Sequence, residues 1–187
     1  MTSMIRKTDV FEDIEGMIAA AKSVDGHFDR HGVLNVTSRP GSEDPLHEYI
    51  SWLPDDVRES EFQVINEEFA GTAVESLLRK LPFQFGRTRL IKMPPKSCLS
   101  IHWDTTLRWH YAIVTNPACY LIHMQGDQGT FHHIPADGYL YEMDARMTHT
   151  AINASKEPRI HLVISDAHDE GLKEGSPPGH EMKHALV

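Results

Sequence analysis

At residue 87 the spacing of apolar residues changes from helical to an alternation of two, and this change constrains the fold more than any other feature. From there to residue 166, short apolar segments are separated by turn-forming pairs such as Pro94-Pro95 and Asn116-Pro117. Strands are predicted at 87–93, 97–103, 108–115, 118–124, 129–134, 138–143, 148–153 and 159–166. We therefore predict a mostly β fold whose core is a double-stranded β-helix, of the jelly-roll or cupin-like kind.

The residues before this core predict helices joined by a long irregular segment. Apolar residues at helical spacing indicate one amphipathic helix over 9–23, and either one broken helix or two short ones over 61–80. Residues 31–60 lose this periodicity and collect turn-forming residues, which predicts a lid over a site or an ordinary surface loop. The expected organisation is an N-terminal helical and loop elaboration at 1–86 that packs on the core, a jelly-roll core at 87–167 and a C-terminal tail at 168–187.

Charge and composition limit the class of partner. The formal net charge is −9, and in the absence of a basic run this predicts no nucleic-acid partner. No segment has the apolar length of a signal peptide or a membrane span, so we expect a cytoplasmic protein with no membrane partner. Cys98 and Cys119 are predicted to be buried thiols. A small-molecule or peptide substrate is expected, and the sequence carries no signal for the oligomeric state.

Two His-x-Asp tripeptides occur, and their surroundings distinguish them. His102 and Asp104 lie in a strand-like segment, where residues i and i+2 point to the same face and can bind one metal ion. His27 and Asp29 lie in a polar, glycine-flanked stretch and are interpreted as structural. With His149 from a later strand, the first pair completes a set of two imidazoles and one carboxylate.

The chemistry of this set points to iron. Two histidines and one carboxylate bind one face of an octahedral Fe(II) and leave three positions open for a chelating co-substrate and O₂. Arg159 would bind a carboxylate of that co-substrate through a bidentate fork, which lysine matches less well. The plain alternatives are that His149 is a core histidine and that Arg159 forms a structural salt bridge.

The strand pattern also predicts which side chains share a face. His149 and Arg159 flank one turn, so they are expected on neighbouring antiparallel strands. An even register would place both side chains on the interior face, and the other register would turn Arg159 outward. Arg159 and His161 are expected to share a face. Trp103 and Trp109 alternate with candidate site residues and are predicted to lie in the core.

Residues 87–166 resemble the aspartyl/asparaginyl β-hydroxylase family of Fe(II)/2-oxoglutarate oxygenases. The resemblance rests on the order and spacing of several motifs, above all an arginine ten residues after the distal histidine. The matching stretches are Ser100-Ile101-His102-Trp103-Asp104, Arg108-Trp109-His110-Tyr111-Ala112-Ile113-Val114-Thr115-Asn116-Pro117, Asp137-Gly138-Tyr139-Leu140-Tyr141-Glu142-Met143-Asp144, His149-Thr150-Ala151-Ile152-Asn153 and Arg159-Ile160-His161-Leu162-Val163.

The resemblance implies a role for each candidate residue. The iron ligands and catalytic residues would be His102, Asp104 and His149. Arg159 would bind the distal carboxylate of 2-oxoglutarate, and Arg108 and His110 would contact its other end. Asp104 is a departure, because animal aspartyl hydroxylases lack the carboxylate ligand. The family serine upstream of the first histidine has no clear equivalent, since Ile91 or Lys92 falls near that place.

Two classes of function remain open at this point. The first is an Fe(II)/2-oxoglutarate-dependent dioxygenase that hydroxylates an amino acid, a peptide side chain or another small molecule, using O₂ and converting 2-oxoglutarate to succinate. The second is a non-oxidative cupin-like metal enzyme or small-molecule-binding protein with the same ligands. They differ at Arg159, which has a dedicated role only in the first class.

Overall fold

A computed structural model of the chain describes residues 4–50 and 52–169, and two antiparallel sheets form its framework. The strands before the second helix are β1 (Ile5–Phe11), β2 (Val33–Asn35), β3 (Thr37–Ser38) and β4 (Val64–Ile65). The helices are α1 (Ile14–Ser23) and α2 (Ala73–Arg79), with 3-10 turns at Asp25–His27, Glu59–Glu61 and Glu67–Phe69. The later strands are β5 (Phe85–Met93), β6 (Ser97–Cys98), β7 (Arg108–Val114), β8 (Cys119–Gln125), β9 (Gln128–His132), β10 (Tyr139–Met143), β11 (His149–Asn153) and β12 (Arg159–Asp166).

The two sheets divide the strands unequally. The major sheet has six strands in the order β1-β10-β7-β12-β5-β2, and the minor sheet has four in the order β6-β11-β8-β9. Strands β3 and β4 pair separately. This arrangement confirms the predicted mostly β, jelly-roll class, and each of the eight predicted core strands occurs. The segment predicted at 97–103 is shorter than expected, because regular pairing covers only Ser97–Cys98 and resumes as a single bridge at His102.

Alternation along the central strands separates two faces of the major sheet. On β7, Tyr111 and Ile113 join the apolar cluster under the helices, whereas Ala112 joins a smaller apolar cluster on the opposite face. On β12, Leu162 and Ile164 repeat the first pattern. Successive side chains of a strand point to opposite faces, so one face of the sheet is sealed by α1 and α2 and the other faces the minor sheet.

The N-terminal region differs from its predicted helical character. Helix α1 begins at Ile14 and not at residue 9, because Asp13 caps it by accepting a hydrogen bond of 2.7 Å from the Gly16 amide. Val10 and Phe11, assigned to this helix from their spacing, belong to β1, which pairs with β10. The first 86 residues thus also supply both edge strands of the major sheet.

The prediction of helix over 61–80 is largely wrong. Only Ala73–Arg79 is α-helical, and the hydroxyl of Thr72 caps its start. Phe62 and Phe69 are fully buried, but Phe62 lies in irregular chain and Phe69 ends a 3-10 turn. The Asn66 side chain ties this region to the carbonyls of Asn35 and Pro45. Burial by these tertiary contacts produced the spacing that resembled a helix.

Three smaller predictions concern cysteines, membrane association and the tail. Cys119 is buried as predicted, whereas Cys98 is exposed. No helix within the described ranges is long and apolar enough to cross a membrane. The predicted tail lies mostly outside the described residues, of which the last is Asp169; its carboxylate accepts a hydrogen bond of 2.7 Å from the Leu107 amide.

Replacing Leu162 with alanine should lower the free energy of unfolding by about 2–5 kcal/mol, because it opens a cavity between the sheet and the helices. Leu162 is fully buried, whereas Leu99 is 42% exposed, so the same substitution at Leu99 should change stability by about 0.5 kcal/mol or less. Urea denaturation of both variants measures the difference. Equal losses would contradict the assignment of the core to this face.

Candidate metal centre and cavity

Three candidate ligands converge between the two sheets. His102, Asp104 and His149 each offer a ligand atom, and these atoms lie within 4.8 Å of one another. The ring centroids of the two histidines are 4.4 Å apart. No other group of three or more His, Cys, Asp or Glu residues in the described part of the chain meets this condition. The structure therefore brings together the three residues that the sequence singled out.

Backbone pairing brings these residues together from distant parts of the chain. The His102 amide donates to the His149 carbonyl at 2.9 Å, and the His149 amide donates to the His102 carbonyl at 2.7 Å. The Asp104 amide donates to the Ala145 carbonyl at 2.8 Å. His102 and Asp104 are thus held by single backbone contacts beyond β6 and not by the regular strand that the sequence predicted.

Both histidine rings are held by a backbone carbonyl. Nδ1 of His102 lies 2.8 Å from the Ser100 carbonyl, and Nδ1 of His149 lies 2.8 Å from the Met147 carbonyl. A carbonyl only accepts hydrogen bonds, so each Nδ1 carries the proton and each Nε2 keeps a free lone pair. Burial lowers the pKa of His149, with a smaller contribution from His102, and this favours the neutral, ligating form.

Arg159 lies in the same cavity and lacks a carboxylate partner. Its side chain is buried, with Nη2 2.9 Å from Nδ1 of His161 and Nη1 3.2 Å from the sulfur of Met93. No Asp or Glu among the described residues lies within ion-pair distance of it. Burial lowers its pKa to about 10, so the group is still charged at neutral pH. A buried charge without a counter-ion is costly and marks a place for an anion.

The relation of Arg159 to His149 differs from the prediction. The two residues lie in different sheets, because β11 pairs with β6 and β8 whereas β12 pairs with β5 and β7. The turn between β11 and β12 therefore crosses from one sheet to the other and is not a hairpin. Arg159 and His161 do share a face, as expected. His149 and Arg159 nevertheless line the same cavity, because the interior faces of the two sheets oppose each other.

Arg108 is held by carboxylates of the protein itself. Its guanidinium contacts both carboxylate oxygens of Glu59, at 2.9 and 3.2 Å, and its Nε lies 3.3 Å from Oδ2 of Asp104. Glu59 can approach this closely because residue 86 is glycine: a Cβ there would lie 2.7 Å from the Glu59 carbonyl oxygen. No local pattern predicts this role of Glu59, because its partner is 49 residues away in the sequence.

His110 is buried beside this group without a polar partner on Nδ1 among the described residues. Its ring meets that of His161 edge to face, with centroids 5.7 Å apart. Burial is the main cause that lowers the pKa of each ring well below its ordinary value, and the positive charge of Arg159 adds to the effect. Both rings are therefore neutral at pH 7 and can exchange hydrogen bonds with a ligand.

A cavity of about 1080 Å³ contains the predicted site residues. Its lining includes all six of them, namely His102, Asp104, His149, Arg159, Arg108 and His110. Part of the segment predicted as a lid also lines it, at residues 31–33 and Ile50. Arg87 and Arg89 also line this cavity but were not predicted as site residues. They flank Thr88 on one strand, so their side chains share a face, and this spacing could have indicated a pair of interior arginines.

The second His-x-Asp tripeptide has a structural role. Oδ1 of Asp29 accepts hydrogen bonds from the amides of His31 and Val33, at 3.0 and 2.7 Å, which stabilises a local turn. Trp109 is buried and packs on Phe83, as a core residue should. Trp103, predicted to be in the core, is instead 44% exposed, because the chain around it has left the sheet.

Residues 60–169 match the family described as aspartyl/asparaginyl beta-hydroxylase. The match extends the resemblance found in the sequence by more than twenty residues toward the N-terminus, into the region before the core. No curated protein matches the chain.

Several solved structures are similar to this chain at low sequence identity. AviO1 from Streptomyces viridochromogenes Tue57 is 18% identical, with a TM-score of 0.51 over 90% of this chain and 91% of that one. A prolyl-4-hydroxylase from Pseudomonas putida is 12% identical, with a TM-score of 0.47 over 88% of each chain. A 2OG-Fe(II) oxygenase family oxidoreductase from Burkholderia pseudomallei is 15% identical, with a TM-score of 0.45 over 81% of this chain and 78% of that one. The likeness to AviO1 supports the jelly-roll fold.

The buried histidines predict how stability depends on pH. The pKa of His161 is lowered in the folded state, so the unfolded chain binds more protons, and stability should fall as the pH drops below about 6.5. The substitution His161→Gln should reduce this fall by up to about 1.4 kcal/mol per pH unit. Denaturation in urea at several pH values between 5 and 7.5 measures the slope. The exposed His168 is the control; an equal change of slope in His168→Gln would contradict the prediction.

Proposed function

The chain belongs to the aspartyl/asparaginyl β-hydroxylase family and is an enzyme of the oxygenase and hydroxylase type, and from this we propose that it is an Fe(II)- and 2-oxoglutarate-dependent dioxygenase. Its substrate would be an amino acid, a peptide side chain or another small molecule. One observation carries the proposal: buried Arg159, without a carboxylate partner in the described chain, lines the same cavity as the His-Asp-His group.

The donor set fits iron. His102 and His149 each engage a backbone carbonyl through Nδ1 and leave Nε2 for a metal, and Asp104 supplies one carboxylate. Such a set suits a divalent metal of the first transition row, and with three protein ligands it leaves coordination positions open. Bound iron would supply the activation of O₂ that couples decarboxylation of the co-substrate to substrate oxidation.

The protein binds the co-substrate through fixed positive charge and neutral hydrogen-bonding groups. Arg159 would donate hydrogen bonds to the distal carboxylate of 2-oxoglutarate, with its guanidinium held in position by Nδ1 of His161. His110, whose Nδ1 has no partner among the described residues, would contact the other end. Because burial keeps both rings neutral, neither adds a competing charge beside the arginine.

Arg108 would act mainly on the metal ligand. The resemblance implies a contact with the co-substrate, but Glu59 and Asp104 already engage its guanidinium. Such a contact restrains the carboxylate of Asp104 in one orientation, as hydrogen-bonding partners of metal ligands commonly do. If Arg108 also contacted the co-substrate, its guanidinium would bind three groups, namely Glu59, Asp104 and the co-substrate.

The position of the missing family serine suggests why Arg159 has unusual partners. Ile91 lines the cavity without a hydroxyl, and the ammonium of Lys92 lies 2.5 Å from the carboxylate of Asp25. Neither side chain supplies a hydroxyl beside the co-substrate carboxylate. Met93 and His161 would hold the arginine in place of such a contact.

The variant Arg159→Ala should bind 2-oxoglutarate about 30-fold more weakly or worse, because truncating one partner of a buried charged pair costs about 2 kcal/mol or more. Titration of the Fe(II)-loaded protein without oxygen measures this affinity, and succinate formation in air measures turnover. Arg79→Ala is the matched control, since Arg79 is exposed on α2. Metal binding should be unchanged in both variants.

The variant His149→Ala should lose metal binding and succinate formation together, whereas His168→Ala should keep both. The alternative predicted from the sequence, a non-oxidative cupin-like metal enzyme or binding protein, gives Arg159 no special role. It would be favoured if His149→Ala lost the metal while the wild type and Arg159→Ala bound 2-oxoglutarate equally weakly.

A further inference from the structure

Two arginines line the cavity at the end of β5 away from Arg159. Arg87 and Arg89 are separated by one residue, so both point to the interior face. Arg159 pairs with Met93 at the other end of β5. At roughly 3.3 Å of strand per residue, Arg89 and Met93 are separated by about 13 Å along the backbone. The two arginines thus form a second cationic region of the cavity, which we call the β5 arginine pair.

The hydrogen-bonding capacity of this pair is largely unused. Arg87 donates through Nη2 to the Tyr49 carbonyl, and Arg89 donates through Nη1 to the Ile50 carbonyl at 3.1 Å. The Nε atoms of both arginines are buried without a hydrogen-bond partner in the described chain. Among the described residues, the carboxylate within ion-pair distance of Arg87 is that of Glu59, at 3.9 Å, and Glu59 is already engaged by Arg108. Buried N–H groups left unpaired are costly unless a ligand satisfies them.

The charges around the inner cavity do not balance. Of the five arginines that line the cavity, four are counted here, namely Arg87, Arg89, Arg108 and Arg159. The carboxylates among them are those of Asp104 and Glu59. Elsewhere in the lining, Asp29 and Arg30 carry opposite charges, and Lys92 is paired with Asp25. An Fe(II) ion and a doubly charged 2-oxoglutarate would cancel each other, so an excess of two positive charges remains.

A co-substrate in its proposed position does not match this excess. A five-carbon dianion that chelates the metal and ends at Arg159 leaves the β5 arginine pair without a ligand. Burial, the neighbouring Arg89 and Arg108 together lower the pKa of Arg87 to about 9, which still leaves it charged at neutral pH. An additional anion in this part of the cavity would relieve both the repulsion and the unpaired donors.

We propose that Arg87 and Arg89 bind an acidic side-chain group of the substrate, a carboxylate or a phosphate, and thereby select a small anionic molecule for oxidation. The inference rests on the proposed function, because it assigns Arg159 to the co-substrate. The two guanidinium groups can hold one oxyanion from two sides, a geometry that planar donors support and ammonium groups do not.

The test compares probes that differ in one acidic group. Binding of O-phospho-L-serine, L-serine, L-glutamate and L-glutamine is measured by calorimetry on the full chain loaded with Fe(II) and saturating 2-oxoglutarate, without oxygen. We expect at least one acidic probe to bind ten-fold or more tightly than its neutral counterpart. Preference for phosphoserine would identify a phosphate, and preference for glutamate a carboxylate.

Variants locate the preference. Arg87→Gln and Arg89→Gln should each reduce it to less than three-fold while changing the affinity for 2-oxoglutarate by less than two-fold. Arg79→Gln should leave both unchanged. Arg87 also donates to the Tyr49 carbonyl, so Arg87→Gln could affect folding. The variant Arg87→Lys keeps the positive charge but loses the paired N–H donors of the guanidinium. Its preference for the acidic probe should lie between those of the wild type and Arg87→Gln.

Two results would overturn the proposal. The first is a wild type that binds 2-oxoglutarate but binds no acidic probe better than its neutral counterpart. The second is a preference that survives in both glutamine variants. Failure of the wild type to bind 2-oxoglutarate at all is a different result: it overturns the proposed function, and this inference with it.

Discussion

The candidate site depends on the pair of backbone hydrogen bonds between His102 and His149. The amide of each residue donates to the carbonyl of the other. These backbone bonds fix the segment after β6 against β11, whatever conformations the side chains adopt. The carbonyls two residues before each histidine then orient the rings. Main-chain geometry therefore decides where three polar side chains meet, and the rest of the roll keeps the two segments in register.

The major sheet serves this arrangement by separating charge from apolar surface. Alternation on β5, β7 and β12 turns arginines and histidines toward the cavity and turns large apolar residues toward the helices. The helices are thus needed for the site although they contribute no group to it. A polar interior of this kind is stable only because the opposite face of the same strands is fully covered.

The sequence predicted what is encoded locally. The eight core strands follow from an alternation of two and its turn residues, and the triad follows from a short motif placed among them. The start of α1 and the region 61–80 were misjudged, because residues buried by tertiary contacts, such as Phe62, imitate helical spacing. The crossing from β11 to β12 was misread as a hairpin, since the turn residues of a hairpin and of a sheet-to-sheet connection are alike. Glu59 and the β5 arginine pair depend on long-range contacts that no local pattern records.

Glu59 lies just before the stretch that matches the family, which begins at residue 60. It nevertheless neutralises Arg108, and Arg108 in turn contacts Asp104. The proposed metal ligand is therefore coupled, through one arginine, to a segment that precedes the roll. A recombinant chimera that kept the roll and exchanged that segment would lose the carboxylate of Glu59, and Asp104 alone would then face the buried charge of Arg108. The part of the chain that matches the family therefore does not contain every residue on which the proposed site depends.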